Sequence, residues 1–211
     1  MADVINLKIS QKRWRPICVN FNQGKIRYRQ QHLQGRNELI AKAVGWKKDP
    51  ILHVFDTTAG FGNESFLLAK LGCHVTLFER NPTIGALLQE GLQRGLADPQ
   101  IAHIIERMTL LQTCAIAYLK ENRFLEPPDV IYCDPMFEPR VKSALVKKEM
   151  QWLQGIVGHD EDAAELVGLA LHVAKKRVVV KRPNYAPPLV AKPQLEFRGR
   201  SHRFDVTLIS S

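Results

Sequence analysis

The chain has 211 residues, 45% hydrophobic and 24% charged, enough to bury one core with a small appendage. Thirty lysines and arginines against 21 acids leave a net charge of +9, which favours a polyanion as partner. No apolar run approaches the roughly 20 residues that span a bilayer, and the N-terminus lacks the apolar stretch of a signal peptide. The four cysteines (Cys18, Cys73, Cys114, Cys133) are scattered without a C-x-x-C pair. A disulfide framework and a structural zinc site are therefore not expected, and a reduced cytoplasmic protein is.

Residues 1 to 35 read as short strands: "ICVNF", a Gln23-Gly24 turn, then "KIRYR". Residues 36 to 45 have helical spacing, with Leu39, Ile40, Ala43 and Val44 on one side, before Lys47 to Pro50 break the chain. Residues 1–48 are expected to be a small β-rich extension that touches the polyanion, and 49–211 the main domain. From residue 51 strands and helices alternate. "ILHVFD" is a strand ending in an acid, and "NESFLLAKLG" a helix closed by glycine. "HVTLFE" is a second strand ending in an acid, and "PTIGALLQEGLQRG" a helix opened by proline. "MTLLQ", "DVIYCD" and "RVVVK" are three more strands, with helices near 115–122, 142–154 and 160–174 between them. Two last strands fall near 194–198 and 203–209. The pattern predicts an α/β fold with a doubly wound, mostly parallel seven-stranded sheet and an antiparallel edge, whose ligands lie at the carboxyl ends of the strands.

Three of those strand ends carry chemistry. The first runs into "DTTAGFGNE", where Asp56 precedes Ala59, Gly60 and Gly62, a turn tight enough for the backbone to approach a ligand at a helix N-terminus. The second ends at Glu79, 23 residues after Asp56, placed to grip ribose hydroxyls. A dinucleotide site would want a third glycine, and Ser65 stands there instead. S-adenosylmethionine has no pyrophosphate, so the shorter turn suits it better than a nicotinamide cofactor. The fourth strand ends in "DPMF". The amine of a nucleobase is a poor nucleophile because its lone pair is delocalised into the ring. The Asp134 carboxylate and a carbonyl held by the rigid Pro135 turn could accept its N–H groups and aim that lone pair at a methyl donor. Phe137 offers a face on which a base stacks. The bland alternative is that Asp134 only caps the next segment and Phe137 packs in the core. The seven histidines show no metal-ligand spacing, and no Walker loop or G-x-S-x-G elbow is present, so no metal is expected.

The stretches "DTTAGFG", "GCHVTLFERNP", "DPMF", "SALVKKEM", "KRVVVKRPNYAPPL" and "HRFD" resemble the bacterial small-subunit (16S) ribosomal RNA guanine-N2 methyltransferase J family over residues 17 to 209. The resemblance implies a class I (Rossmann-like) S-adenosylmethionine-dependent methyltransferase acting on a guanosine N2. It places cofactor contacts at Asn63, Glu64, Glu79, Arg80, Cys114, Ala115 and Asp134. Met136 is typical of the family, whereas Asn63-Glu64 stands where members often have Arg-Asp, and Asn184 and Ser201 where they have Asp and Gly. Met136, Lys147, Lys148, Lys181, Arg182, Tyr185, His202 and Arg203 then become candidate contacts to ribosomal RNA or the assembling 30S subunit. A monomer that uses neither membrane nor metal is expected. An adenine-N6 DNA methyltransferase and a catalytically inactive RNA-binding assembly factor are the competing readings, with a nicotinamide-dependent oxidoreductase further off.

Overall fold

A computed structural model describes residues 18–32, 35–122, 124–135, 162–189 and 192–210. Seven strands form one sheet: β1 (His53–Asp56), β2 (His74–Phe78), β3 (Met108–Leu111), β4 (Val130–Cys133), β5 (Arg177–Pro183), β6 (Leu195–Arg198) and β7 (His202–Leu208). Their order is β3-β2-β1-β4-β5-β7-β6. Strands β1 to β5 pair in parallel, and β7 pairs antiparallel with both β5 and β6. The chain starts in the middle, winds outward to β3, then returns to lay β4 on the other side of β1. That reversal opens a crevice between the carboxyl ends of β1 and β4, the place where doubly wound sheets bind ligands.

Strand periodicity sorts the apolar side chains onto two faces. Val54, Val75, Leu77, Val130, Tyr132 and Val179 face one core, closed by α2 (Leu39–Val44), α3 (Asn63–Lys70), α4 (Pro82–Leu96) and α5 (Ala102–Ile105). Phe55, Phe78, Ile131, Cys133, Val178 and Val180 face the other, closed by α6 (Ala115–Glu121) and α7 (Ala163–Val173). Helix α4 starts where Pro82 sets the first turn and the Asn81 side chain accepts the amides of Thr83 and Ile84. The short α5 has no counterpart in the sequence reading. The helix expected near 142–154 lies outside the described residues.

The N-terminal segment differs from the β-rich extension expected. Gly24–Gln31 is a helix, α1, where "KIRYR" suggested a strand. Lysine, arginine and glutamine are good helix formers, and the helix buries Ile26 in the first core. Residues 18–20 have no regular structure, yet Val19 and Phe21 insert into the first core, with Phe21 stacked on Phe66 at 5.0 Å between centroids. Gly91 leaves room for this, because a Cβ there would come within 2.6 Å of Val19. The described residues before 49 therefore share the core of the main domain.

Candidate active site

The turn after β1 is built by its own side chains. Asp56 is buried, and its carboxylate accepts the Thr58 amide at 3.2 Å and the Ser65 hydroxyl. Ser65, which on sequence grounds merely replaced a glycine, is the residue that pins α3 to this acid. Burial pushes the Asp56 carboxyl up to about 7, against the pull of those hydrogen bonds. Gly60 and Gly62 adopt φ of 53° and 71°, a region costly for other residues, and a Cβ at Gly62 would meet Leu88 at 2.9 Å. Gly62 caps the start of α3, so free amides of Asn63 and Glu64 open toward the crevice. Asp56 thus holds the turn together while Ala59, Gly60, Asn63 and Glu64 line the cavity.

At the end of β2, Glu79 accepts the Gly60 amide at 2.9 Å and the Asn81 amide at 2.7 Å. These bonds fix the carboxylate in the wall of the cavity. Its neighbour Arg80 reaches across the mouth of the cavity to Asp162 at 2.6 Å, at the start of α7. Cys114 and Ala115, at the start of α6, complete this wall.

The acid after β4 is tied to the turn after β1: the Asp134 amide donates to Thr58 Oγ1 at 2.6 Å, and the Thr57 amide to the Tyr132 carbonyl at 3.0 Å. A line of alternating charges then runs through the site. Lys181 Nζ lies 2.7 Å from Asp134 Oδ2 and 3.3 Å from Glu64 Oε1. Arg29 of α1 grips both Glu64 oxygens at 3.1 Å. Burial raises the Asp134 carboxyl above the usual carboxylate range, with Lys181 opposing it. For Glu64 the burial effect is outweighed by Lys181 and Arg29, which hold it below that range. Lys181 was expected to meet RNA; the fold spends its ammonium on these two acids. Met136, Phe137, Lys147 and Lys148 lie outside the described residues.

The far wall comes from β5 and β7. Arg182, Tyr185 and His202 line the cavity, and burial followed by the Lys181 charge lowers the His202 imidazole below its ordinary value. Arg203 does not reach the surface as an RNA contact would. It is 3% exposed and donates to Asp205 Oδ1 at 2.6 Å and to the carbonyls of Pro183, Asn184 and Ala186 at 2.9, 3.2 and 2.8 Å. Arg182 likewise donates to the Pro187 carbonyl. The two arginines brace the loop that presents Tyr185. Asn184 donates its side-chain amide to the Gly199 and Arg200 carbonyls, bonds an aspartate could not make.

These strand ends enclose a cavity of about 550 Å³, within the usual range for a cofactor. S-adenosylmethionine fits the groups present. Glu79 suits its ribose, the amides opening α3 suit its carboxylate, and the acids suit its cationic sulfonium and ammonium. At the floor, Tyr132 is 1% exposed and its hydroxyl has no partner among the described residues, so a polar ligand atom can complete it. Sequence reasoning passed over Tyr132, although it precedes Asp134 by two on one strand and so shares its face. Thr58 and Arg29 were also missed; nothing in the local sequence marks a tertiary hydrogen bond or a distant ion pair.

Fold and site together define a class I S-adenosylmethionine-dependent methyltransferase. Residues 2–209 match the family model described as putative SAM-dependent methyltransferase. The chain is 50% identical over 194 residues to the ribosomal RNA small subunit methyltransferase J of Pectobacterium atrosepticum, covering 91% of this chain and 77% of that one. It is 47% identical over 206 residues to the protein of the same name from Aeromonas salmonicida, covering 97% and 82%. The chain belongs to the ribosomal RNA small subunit methyltransferase J family. Among solved structures, a SAM-dependent methyltransferase from Neisseria gonorrhoeae superimposes with a TM-score of 0.73 at 34% identity, covering 95% of this chain and 76% of that one. A 16S rRNA N2 methyltransferase from T. thermophilus, solved with AdoMet and guanosine, shares the fold at a TM-score of 0.55 and 16% identity, covering 82% and 41%.

Proposed function

We propose that this methyltransferase modifies the exocyclic N2 of a guanosine in small-subunit ribosomal RNA. The observation that carries the reading is the acid after β4, Asp134, followed by Pro135 and fixed by Thr58 beside the cofactor crevice. S-adenosylmethionine, when bound, supplies an electrophilic methyl group. The Asp134 carboxylate and a carbonyl of the Asp134-Pro135 turn accept the two N–H groups of the amine, which turns its lone pair toward that methyl. Transfer to the nitrogen so held would leave the bonding electron pair on the cofactor's sulfur and release one proton from the amine to solvent. Phe137 would wall or stack the base. Asn63 and Glu64 would hold the methionine portion and Glu79 the ribose, with Arg80, Cys114 and Ala115 around the adenosine.

The net charge of +9 and the family favour ribosomal RNA or the assembling 30S subunit as partner. Residues 1–48 would add RNA contacts, as would Tyr185 and His202 at the rim. Among the described residues no helix is long and apolar enough to cross a membrane, and no cluster of metal-ligating side chains occurs. On this reading the protein works in the cytoplasm as a monomer.

Nucleoside mass spectrometry of small-subunit RNA and of DNA, with and without the gene, tests the proposal. Loss of N2-methylguanosine from the RNA is expected. Loss of N6-methyladenine from DNA would replace this reading with the competing one, and no change in either would leave only an assembly role.

A further inference from the structure

The ion pair between Lys181 and Asp134 is a consequence of strand register. Parallel pairing sets Cys133 of β4 opposite Val180 of β5, so the next residues, Asp134 and Lys181, emerge side by side. Alternation places Lys181 on the same face as Val179 and Tyr132, toward the cavity rather than toward α7. Its stem is held in the strand, only 21% of its side chain is exposed, and its ammonium is enclosed by two carboxylates. This is poor placement for binding a phosphate.

It is good placement for controlling Asp134. We propose that Lys181 is a positioning residue for methyl transfer, its ammonium occupying Oδ2 of Asp134 so that Oδ1 is the oxygen presented to the amine of the base. This rests on the function proposed above. Asp134 accepts an N–H most strongly while it is an anion, and its surroundings oppose that state. Glu64 on α3, Asp56 on β1 and the Tyr132 phenol on β4 all face it, and its partial burial at the cavity wall costs the charged form hydration. Among the described residues Lys181 from β5 is the cation in direct contact, while His202 from β7 lends a weaker favourable field. Arg29 from α1 is engaged by Glu64, one carboxylate further along. Glu64, gripped by Arg29 on the other side, holds the ammonium in place without drawing it off Asp134, as the 3.3 Å and 2.7 Å separations show.

Steady-state kinetics of Lys181→Met and Lys181→Arg on unmethylated small subunits, with pH profiles of kcat, test the assignment. Cofactor affinity from calorimetry and a melting curve confirm that each variant is folded. The wild-type assay comes first: if it yields no N2-methylguanosine, the functional reading fails before Lys181 is at issue. Given an active wild type, Lys181→Met is expected to lower kcat about 100-fold, the size of loss that misplacing a catalytic group causes. KM for the subunit should change little, and the acid limb of the profile should move to higher pH because Asp134 loses its cation. Lys181→Arg should restore part of kcat and return the limb. If Lys181→Met fails to fold, Lys181→Gln, which keeps a hydrogen-bond donor without the charge, takes its place with the same expectation. An unchanged kcat and acid limb, or a loss confined to KM for the subunit, would overturn the proposal and return Lys181 to the RNA surface.

Discussion

Thr58 Oγ1 accepts the amide of Asp134 at 2.6 Å, so one hydroxyl joins the glycine turn after β1 to the acid after β4. The two loops meet because β1 and β4 are neighbours in the sheet although 76 residues separate the bonded groups. The cofactor side and the base side of the site are thereby held in one frame. Thr58→Val keeps the shape and removes the acceptor, leaving a partly buried amide unpaired. A stability loss of about 1–3 kcal/mol is expected from denaturant unfolding. A drop in kcat of roughly tenfold should accompany it with cofactor affinity nearly unchanged, and Thr58→Ser should recover both.

Tyr132 makes the opposite case. Its hydroxyl is buried without a partner among the described residues, so Tyr132→Phe removes a desolvated group at no loss of hydrogen bonding there. The melting temperature of the cofactor-free protein should hold or rise, by up to about 1 kcal/mol in stability. If the hydroxyl serves the ligand, calorimetry should show S-adenosylmethionine binding weakened by about 0.5–1.5 kcal/mol.

Asp56 makes stability depend on pH. Its folded-state value of about 7 lies above the ordinary carboxylate value of 3.8, so the folded state binds a proton that the unfolded chain has released. Its contribution is fully present below about pH 4 and is lost as pH rises through 7, an effect of up to about 4 kcal/mol for a shift of this size. Asp56→Asn cannot ionise. Unfolding measured at pH 5 and pH 8 should show a smaller difference between the two pH values in the variant than in the wild type.

Arg203 is expected to matter for the fold and not for RNA. Arg203→Met would strand the Asp205 carboxylate and three loop carbonyls, costing about 3–5 kcal/mol, as breaking a buried pair does. Arg203→Lys keeps the charge but loses the planar fork that reaches all four partners. Its melting temperature should fall while the salt dependence of RNA binding stays as in the wild type. A residue that touched a phosphate would instead lower that slope by about one unit.

The basic tail shows why local reading stops short. Lys181, Arg182, His202 and Arg203 look alike in sequence as a cationic surface. The antiparallel pairing of β5 with β7 gives them different surroundings: one cation faces a pair of acids, two are spent on loop carbonyls, and His202 lines the cavity. Ser65 is a similar case, a departure from a glycine pattern that becomes a clamp on Asp56 only when α3 folds over β1. The N-terminal strand expectation failed because alternation in "KIRYR" reports only a possible face, while in the fold the segment winds as a helix that buries Ile26 in the first core.

What the sequence determined was whatever depends on near neighbours along the chain. Alternating apolar runs, glycines that allow a left-handed turn, and acids at three strand ends were enough for the layered α/β sheet and the cofactor class. What the tertiary structure decided was which side chains share a charge. Strand order and register bring Asp134, Lys181, Glu64 and Arg29 together from four elements. The energy of such contacts depends on distances and burial that do not exist until the sheet has closed its core on both faces.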